Sequence, residues 1–453
     1  MKIAWLLLAA AAPVQSGIEI HSDQVVHECS PHLGGTNIKA HDLRFASGGD
    51  GIDHVKWARQ ARIPLIRTLA YPDKPGHDPT PGGRDLAEFD RNVSAILAAG
   101  ARPLFIQYIE PGLRYVKANG DPGGSVAENM VFLVQHYAAA PFHLELQHWE
   151  IGNEPDYDID YRVESPEAYT AVFNEIHDAL VAAGLRERVR LCGPAVVSPY
   201  RHVGRDWDNT RFIDAVLRDC RHSVDVVTYH SYSPHGDEWN DPIRLLNDPV
   251  LEKLENAQRG VAAPDDFGAA ALAEAVHAAQ LQRTGAGIGI TEYNTNTLHH
   301  SAASGLYNLM VQQFHARNPL SRLTCSFVFD EVGMSYGGNG HFAAPNEPNA
   351  NYWALWIAGN LRGDEVVRVN APADGRLLVL ATRDRDHVFL EVINRTASGV
   401  EESVSVDKGG ALQAVHRLDA NTTPDQAIEP TDGGKFAFPP LSATVLVFRR
   451  GGD

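Results

Sequence analysis

From about residue 32 to residue 363, short apolar runs rich in β-branched residues alternate with stretches whose apolar residues recur every three or four positions. The short runs have the character of buried strands, and the three-to-four spacing is that of helices with one buried face. Eight runs read as strands: HLGGTNI (32–38), PLIRTLA (64–70), RPLFIQYI (102–109), LELQHWEIGNE (144–154), RVRLCGPA (188–195), VDVVTYHSY (224–232), GIGITEYN (287–294) and TCSFVFD (324–330). Helical spacing falls between them in 51–62, 90–100, 165–184, 212–220, 268–285 and 303–317, and after the last of them in 351–363. Eightfold repetition of strand and helix predicts an α/β protein built on a (β/α)8 TIM barrel, whose chemistry sits where the strands end. A doubly wound open sheet would carry a glycine-rich phosphate loop after its first strand, and GGTNIKAHD has neither G-x-G-x-x-G nor G-K-[ST].

Beyond residue 363 the period changes to two. LLVLATRD, HVFLEVINRT, EESVSV, LQAVHRL and ATVLVFRR alternate apolar and polar positions between Gly, Asp and Asn. They predict an accessory antiparallel β-sandwich over 364–453, joined by early strands in 17–30 (GIEIHS, QVVHE), with the barrel spanning 31–363. Residues 1–16, MKIAWLLLAAAAPVQS, have one Lys, an apolar run and small residues before Gly17, the pattern of a secretory signal peptide. The expectation is a secreted or periplasmic protein. That run is too short to span a bilayer, and no later one approaches ~20 apolar residues, so no membrane association is expected after cleavage.

Charge and cysteines narrow the partners. A net charge of −18 argues against nucleic acid or an anionic membrane surface. Cys29, Cys192, Cys220 and Cys325 lie far apart with no CxxC, which points to neither a zinc knuckle nor a redox motif and leaves disulfide pairing open. No HxH follows the first strand and no HExxH occurs, so neither metal nor cofactor is expected.

Carboxylates at strand ends are the candidate chemistry. HWEIGNEPD sets Asn153 and Glu154 at the end of the fourth strand, and GIGITEYN sets Glu292 at the end of the seventh. Glu110 in YIEPG and Asp330 and Glu331 in FDEVG end other strands. Glu150 lies four residues before Glu154, about 13 Å deeper, and reads as a buried structural residue paired with a cation such as Arg67. Two carboxylates facing across a barrel mouth suit glycoside hydrolysis, where one gives a proton to the leaving oxygen and the other, ionised, attacks or orients water.

WEIGNEPD and ITEYN resemble the acid/base and nucleophile motifs of clan A glycoside hydrolases, retaining (β/α)8 enzymes. GPAVVSP is similar to the clan's fifth strand, and YHSYSP to a His-x-Tyr found in several of its families. FVFDEVG and ITEYNTNT are most similar to family 39, which includes β-xylosidases and α-L-iduronidases. EIGNEPD also resembles family 79, and HLGGTNI resembles the start of family 51 arabinofuranosidase barrels; family 39 commonly has NEPN where this chain has NEPD. The resemblance implies roles. Glu154 would be the general acid/base, kept protonated at rest by the field of Glu292, and Glu292 the nucleophile, the two carboxyl groups about 5–5.5 Å apart. Asn153 would donate to the sugar 2-hydroxyl, Tyr232 would hold Glu292, His230 would line the same wall, and Arg67 would help keep Glu292 ionised. Many relatives have a Trp near the end of strand eight as a sugar platform; with none here, Phe329 or Tyr336 would take that place. The long stretch after strand six offers Trp239 as a sugar-stacking residue. The substrate would be an oligosaccharide or polysaccharide, with β-xylosidase-like action first and an α-L-arabinofuranosidase, a β-glucuronidase-like exo-enzyme or an endo-acting hydrolase as alternatives. A non-catalytic carbohydrate-binding barrel would lack one of the two glutamates, and both are present.

Overall fold

The computed structural model describes residues 17–38, 44–48, 51–70, 86–109, 113, 115–157, 163–198, 209–220, 222–233, 237–247, 286–329, 340–407, 410–428 and 435–451. The leader-like segment 1–16, Glu110, the helical pattern at 268–285, and Asp330, Glu331 and Tyr336 lie outside them.

Eight parallel strands close into a barrel: Gly35–Asn37, Leu65–Leu69, Arg102–Gln107, Gln147–Ile151, Val189–Val196, Val226–Tyr232, Gly287–Asn294 and Ser321–Ser326. Each pairs with the next in the chain, and the last pairs with the first. Alternation divides their side chains. Outward residues such as Phe105 and Trp149, stacked with centroids 4.5 Å apart, meet the helices. Inward residues fill the barrel in tiers, and Leu65, Leu104, Cys192, Val226, Leu323 and Cys325 form one wholly apolar tier. Gly289 faces this tier because a Cβ there would meet Leu323 Cδ1 at 2.7 Å.

The helices start where side-chain acceptors meet unpaired amides. Ser165 caps Pro166–Ala182, Ser301 caps Ala302–Arg317 and Asn349 caps Ala350–Asn360. Val126–Ala138 was not among the helical stretches read from the spacing, because its apolar residues run almost continuously. It begins with a capping box between Ser125 and Glu128.

Besides two short two-stranded ribbons, Tyr115–Val116 with Pro122–Gly124 and Phe342–Ala344 with Glu347–Pro348, the other described strands form one eight-stranded sheet that curls over its own core. Its order is Ala411–Leu418, Ser442–Arg449, His387–Asn394, Leu377–Arg383, Glu365–Asn370, Ile18–Glu28, Val400–Val406, Lys435–Phe438. The strand Ile18–Glu28 runs antiparallel to Glu365–Asn370 and parallel to Val400–Val406. Period-two alternation sends Leu377, Val379, Val388, Leu390, Leu446 and Phe448 into the sandwich core. The opposite face, with Leu378, Phe389, Ile393, Val445 and Val447, packs against Met310, Phe314, Ala354 and Ile357 of two barrel helices. An ion pair crosses the same interface, where Arg362 Nη2 donates to Glu391 Oε2 at 2.9 Å with both side chains buried. All four cysteines are free.

Candidate active site

The fourth strand stops sooner than its apolar pattern. Gly152 (φ +80°) turns the chain after Ile151, its amide bonding Gln107 O at 2.8 Å. Glu154 follows with φ +45°, a region that costs a residue bearing a Cβ, held by its amide bond to Ala195 O at 2.9 Å. This turn aims Asn153 and Glu154 over the barrel mouth.

A different device aims Glu292. In the seventh strand Ile290 pairs with Tyr229, but Glu292 pairs with His230, so one extra residue, Thr291, is accommodated at a bulge. Without it the strand's period of two would turn Glu292 outward, toward the side of Ile288 and Ile290, which pack in the outer core. Asn37 at the end of the first strand secures the bulge by donating from Nδ2 to Thr291 O at 2.7 Å.

Arg67, 1 % exposed, is the hub beneath both turns. Its Nε donates to Glu150 Oε2 (2.6 Å), Nη1 to Glu292 Oε1 (2.6 Å) and Asn37 Oδ1 (2.9 Å), and Nη2 to Asn153 Oδ1 (2.6 Å). Burial opposes its charge, but the two carboxylates outweigh that and raise its pKa. Glu150 is fully buried and touches the arginine, not the open mouth. Because Asn153 Oδ1 is occupied, its Nδ2 retains both protons for a ligand.

Above this hub His230 lies between the two glutamates. Its Nδ1 donates to Glu154 Oε1 at 2.8 Å and stands 3.6 Å from Glu292 Oε2. Tyr232 donates its hydroxyl to Glu292 Oε2 at 2.8 Å. Burial alone would raise the Glu292 pKa; the charges of His230 and Arg67 and the hydrogen bonds from Tyr232 and Arg67 overcome it and hold the carboxyl below its ordinary range. The same two glutamates, against the cost of burial, raise the pKa of His230. Burial and the charge of Glu292 push the Tyr232 phenol well up, so it stays a donor.

Glu154, His230 and Glu292 each bring one ligand-type atom within 4.8 Å of the others, a spacing that a metal could use. The oxygens of Glu292 are already taken by Arg67 and Tyr232, and one of Glu154 by His230 Nδ1. A cation would have to displace those donors and sit beside a guanidinium, so the donor set is a poor fit for one.

Of the residues singled out from the sequence, Arg67, Asn153, Glu154, His230, Tyr232 and Glu292 converge. Trp239 is tied beside them, its carbonyl accepting from Thr297 Oγ1 at 3.1 Å, but the Arg244 guanidinium covers one face of its ring at 4.5 Å. Phe329 is a correction: it is wholly buried among Phe45, His54, Phe342 and Tyr352, so it forms no platform. Phe327, two residues earlier and half-buried, stands edge-on to Tyr232 at 6.3 Å instead. The alternation of SFVFD marks both phenylalanines as facing the same way and does not tell them apart. Asn37 was also missed, although a polar residue closing the apolar run HLGGTNI was its signal.

No known family's sequence profile matches the chain, and no curated protein matches it. Among solved structures, fold neighbours include enzymes named as acting on carbohydrate. An α-L-arabinofuranosidase from Thermotoga maritima, in complex with arabinose, aligns over 96% of this chain and all of its own at 15% identity and TM-score 0.67. AbfB, a family 51 α-L-arabinofuranosidase from Bifidobacterium longum, aligns over the same shares at 16% and 0.68. A GH30 endoxylanase from Clostridium papyrosolvens does so at 13% and 0.60. The likeness extends over both the barrel and the sandwich. The structures named are of families 51 and 30, not of family 39.

Proposed function

We propose that the protein is a retaining glycoside hydrolase of the clan A type that acts on a pentosyl residue, arabinofuranosyl or xylosyl, of an oligosaccharide or polysaccharide. The observation that carries this reading is the approach of Glu154 and Glu292, with an oxygen of each within 4.8 Å across the mouth. Inverting enzymes separate their carboxyl groups by about 6.5–9.5 Å to admit a water, whereas direct attack needs about 5–5.5 Å. Supporting the pentosyl choice, neighbours of the same architecture include structures named arabinofuranosidases and xylanases, beside one named a glucosidase.

In this reading Glu292, held ionised by Arg67 and Tyr232, attacks the anomeric carbon while Glu154 gives its proton to the departing oxygen. A glycosyl-enzyme ester forms and the aglycone leaves. Glu154, now ionised, takes a proton from water, which attacks the same carbon and releases Glu292. Asn153 Nδ2 donates to the sugar 2-hydroxyl, and His230 steadies Glu154 in both of its states. The half-buried Phe327 beside Tyr232 offers apolar contact to the ring.

A panel of nitrophenyl glycosides, with α-L-arabinofuranoside, β-xyloside, β-glucuronide, β-glucoside and β-galactoside, tests the reading. Wild-type protein is expected to cleave one of the first two with retention, read by proton NMR of the first-formed sugar. Glu292→Ala should be inactive, and Glu154→Ala should spare substrates with good leaving groups. Inversion, or wild-type turnover by Glu292→Ala, would sink the assignment.

A further inference from the structure

The far end of the barrel interior holds a second polar cluster. His148 pairs in register with Leu104 on one side and Arg190 on the other. Leu104 and Cys192 belong to the inward apolar tier, so Arg102, two residues before Leu104, and Arg190, two before Cys192, face inward as well. Arg102, exposed, His148, buried, and Arg190, half-buried, thus stand near the starts of adjacent strands, at the opposite end from Glu154 and Glu292. His32 joins them from the segment before the first strand. Its carbonyl accepts from the Thr324 amide at 3.2 Å, and its ring meets that of His148 edge-on, centroids 4.7 Å apart.

Among the described residues, no carboxylate pairs with this cluster. Among the described residues neither Arg102 nor Arg190 has a hydrogen bond or ion pair from its guanidinium. Nδ1 of His32 and Nδ1 of His148 are both buried without a partner, and His148 is 6 % exposed. After burial, the charges depressing the two histidines come from Arg102, Arg190 and the neighbouring ring, and His148 falls to about 3. In a chain carrying −18 overall, this is a local excess of positive charge and unused donors.

We propose that the N-terminal mouth of the barrel binds a small tetrahedral oxyanion, phosphate or sulfate, through the guanidinium groups of Arg102 and Arg190 and the Nδ1–H groups of His32 and His148. Guanidinium forks match oxyanions, and a neutral imidazole donates from Nδ1 when that nitrogen carries the proton. Four donor groups suit four oxygens better than the two of a carboxylate. The site lies at the strand starts and Glu154 and Glu292 lie at the strand ends, so the anion strengthens the fold and takes no part in catalysis.

Thermal unfolding of the full chain at neutral pH, in phosphate, sulfate, acetate or chloride at matched ionic strength, tests the site. Phosphate and sulfate are expected to raise Tm in a saturable way that acetate and chloride do not reproduce. The Arg102→Gln/Arg190→Gln double variant should lose that increment. Should the double variant not fold, calorimetric titration of phosphate into Arg190→Gln should give binding weaker by about tenfold or more. Equal shifts in phosphate and chloride, or an unchanged phosphate response in the variants, would overturn the proposal. A matching acetate response would overturn its tetrahedral specificity.

Discussion

The two ends of the barrel interior hold similar residues under opposite accounting. At the upper end Arg67 spends four N–H groups on Glu150, Glu292, Asn153 and Asn37, and His230 bridges the two glutamates of the mouth. At the lower end the exposed Arg102 and half-buried Arg190 stand beside two histidines, and among the described residues no carboxylate pairs with either arginine. Buried charge persists where partners compensate it, and the upper end shows compensation used to tune a reactive group. The lower end leaves its compensation to be supplied from solution.

The sharpest way to break this contrast is to remove the hub. Arg67→Leu leaves Glu150 buried without its cation, and is expected to cost about 3–5 kcal/mol in urea unfolding and to abolish turnover. A loss below about 1 kcal/mol would mean that the upper network contributes little to the fold. Tyr232→Phe removes one donor from Glu292 while leaving the hub intact. It should lower kcat/KM by about tenfold or more. It should also move the acid limb of the pH–rate profile to higher pH, because that hydrogen bond helps depress the Glu292 pKa.

Asp156 sharpens the comparison, as an upper-end acid without full compensation. Its Oδ1 accepts from the Val197 amide at 3.1 Å, but Oδ2 is buried with no partner among the described residues, and burial pushes its pKa up to about 7 from 3.8. The folded state therefore binds this proton more tightly than the unfolded chain. The resulting stability is complete below pH 3.8 and is lost as the pH rises to about 7. Asp156→Asn should remove that slope and stabilise the protein by about 1 kcal/mol at neutral pH in urea titrations. The smallest effect belongs to the lower end. Arg102→Gln, measured in chloride, should change stability by no more than about 0.5 kcal/mol, since no ion pair is lost there.

The apolar runs revealed the barrel because each strand carries one continuous buried stretch, and the carboxylates at their ends marked the mouth. What the pattern concealed was backbone geometry. A run such as GIGITEYN does not announce that Thr291 will bulge, yet the bulge decides that Glu292 faces the mouth. Arg67 and Glu150 could be paired from parity and position, but Asn37 and Phe327 depend on how the first and eighth strands meet the seventh. In the sandwich, Glu365–Asn370 and Lys435–Phe438 escaped notice because one is half polar and the other very short. Each becomes a strand only when its neighbour supplies the pairing. Glu110, Asp330 and Glu331 lie outside the described residues.

The strand Ile18–Glu28 has a consequence for the order of assembly. It sits inside the sandwich sheet, with His21 bonded to Asn370, 349 residues later. During synthesis this ribbon leaves the ribosome with both edges bare and waits for nearly the whole barrel to be made before its partners exist. The chain entropy of closing so long a loop grows only logarithmically with length, so the wait is less a thermodynamic burden than a kinetic exposure. Its outer half is exposed from Asp23 to Val26 and carries two exposed valines, an edge open to other chains in the meantime. A fragment beginning at residue 364 would lack a strand from within its sheet, so the clasp that closes the sandwich is made from a part of the chain that comes before the barrel.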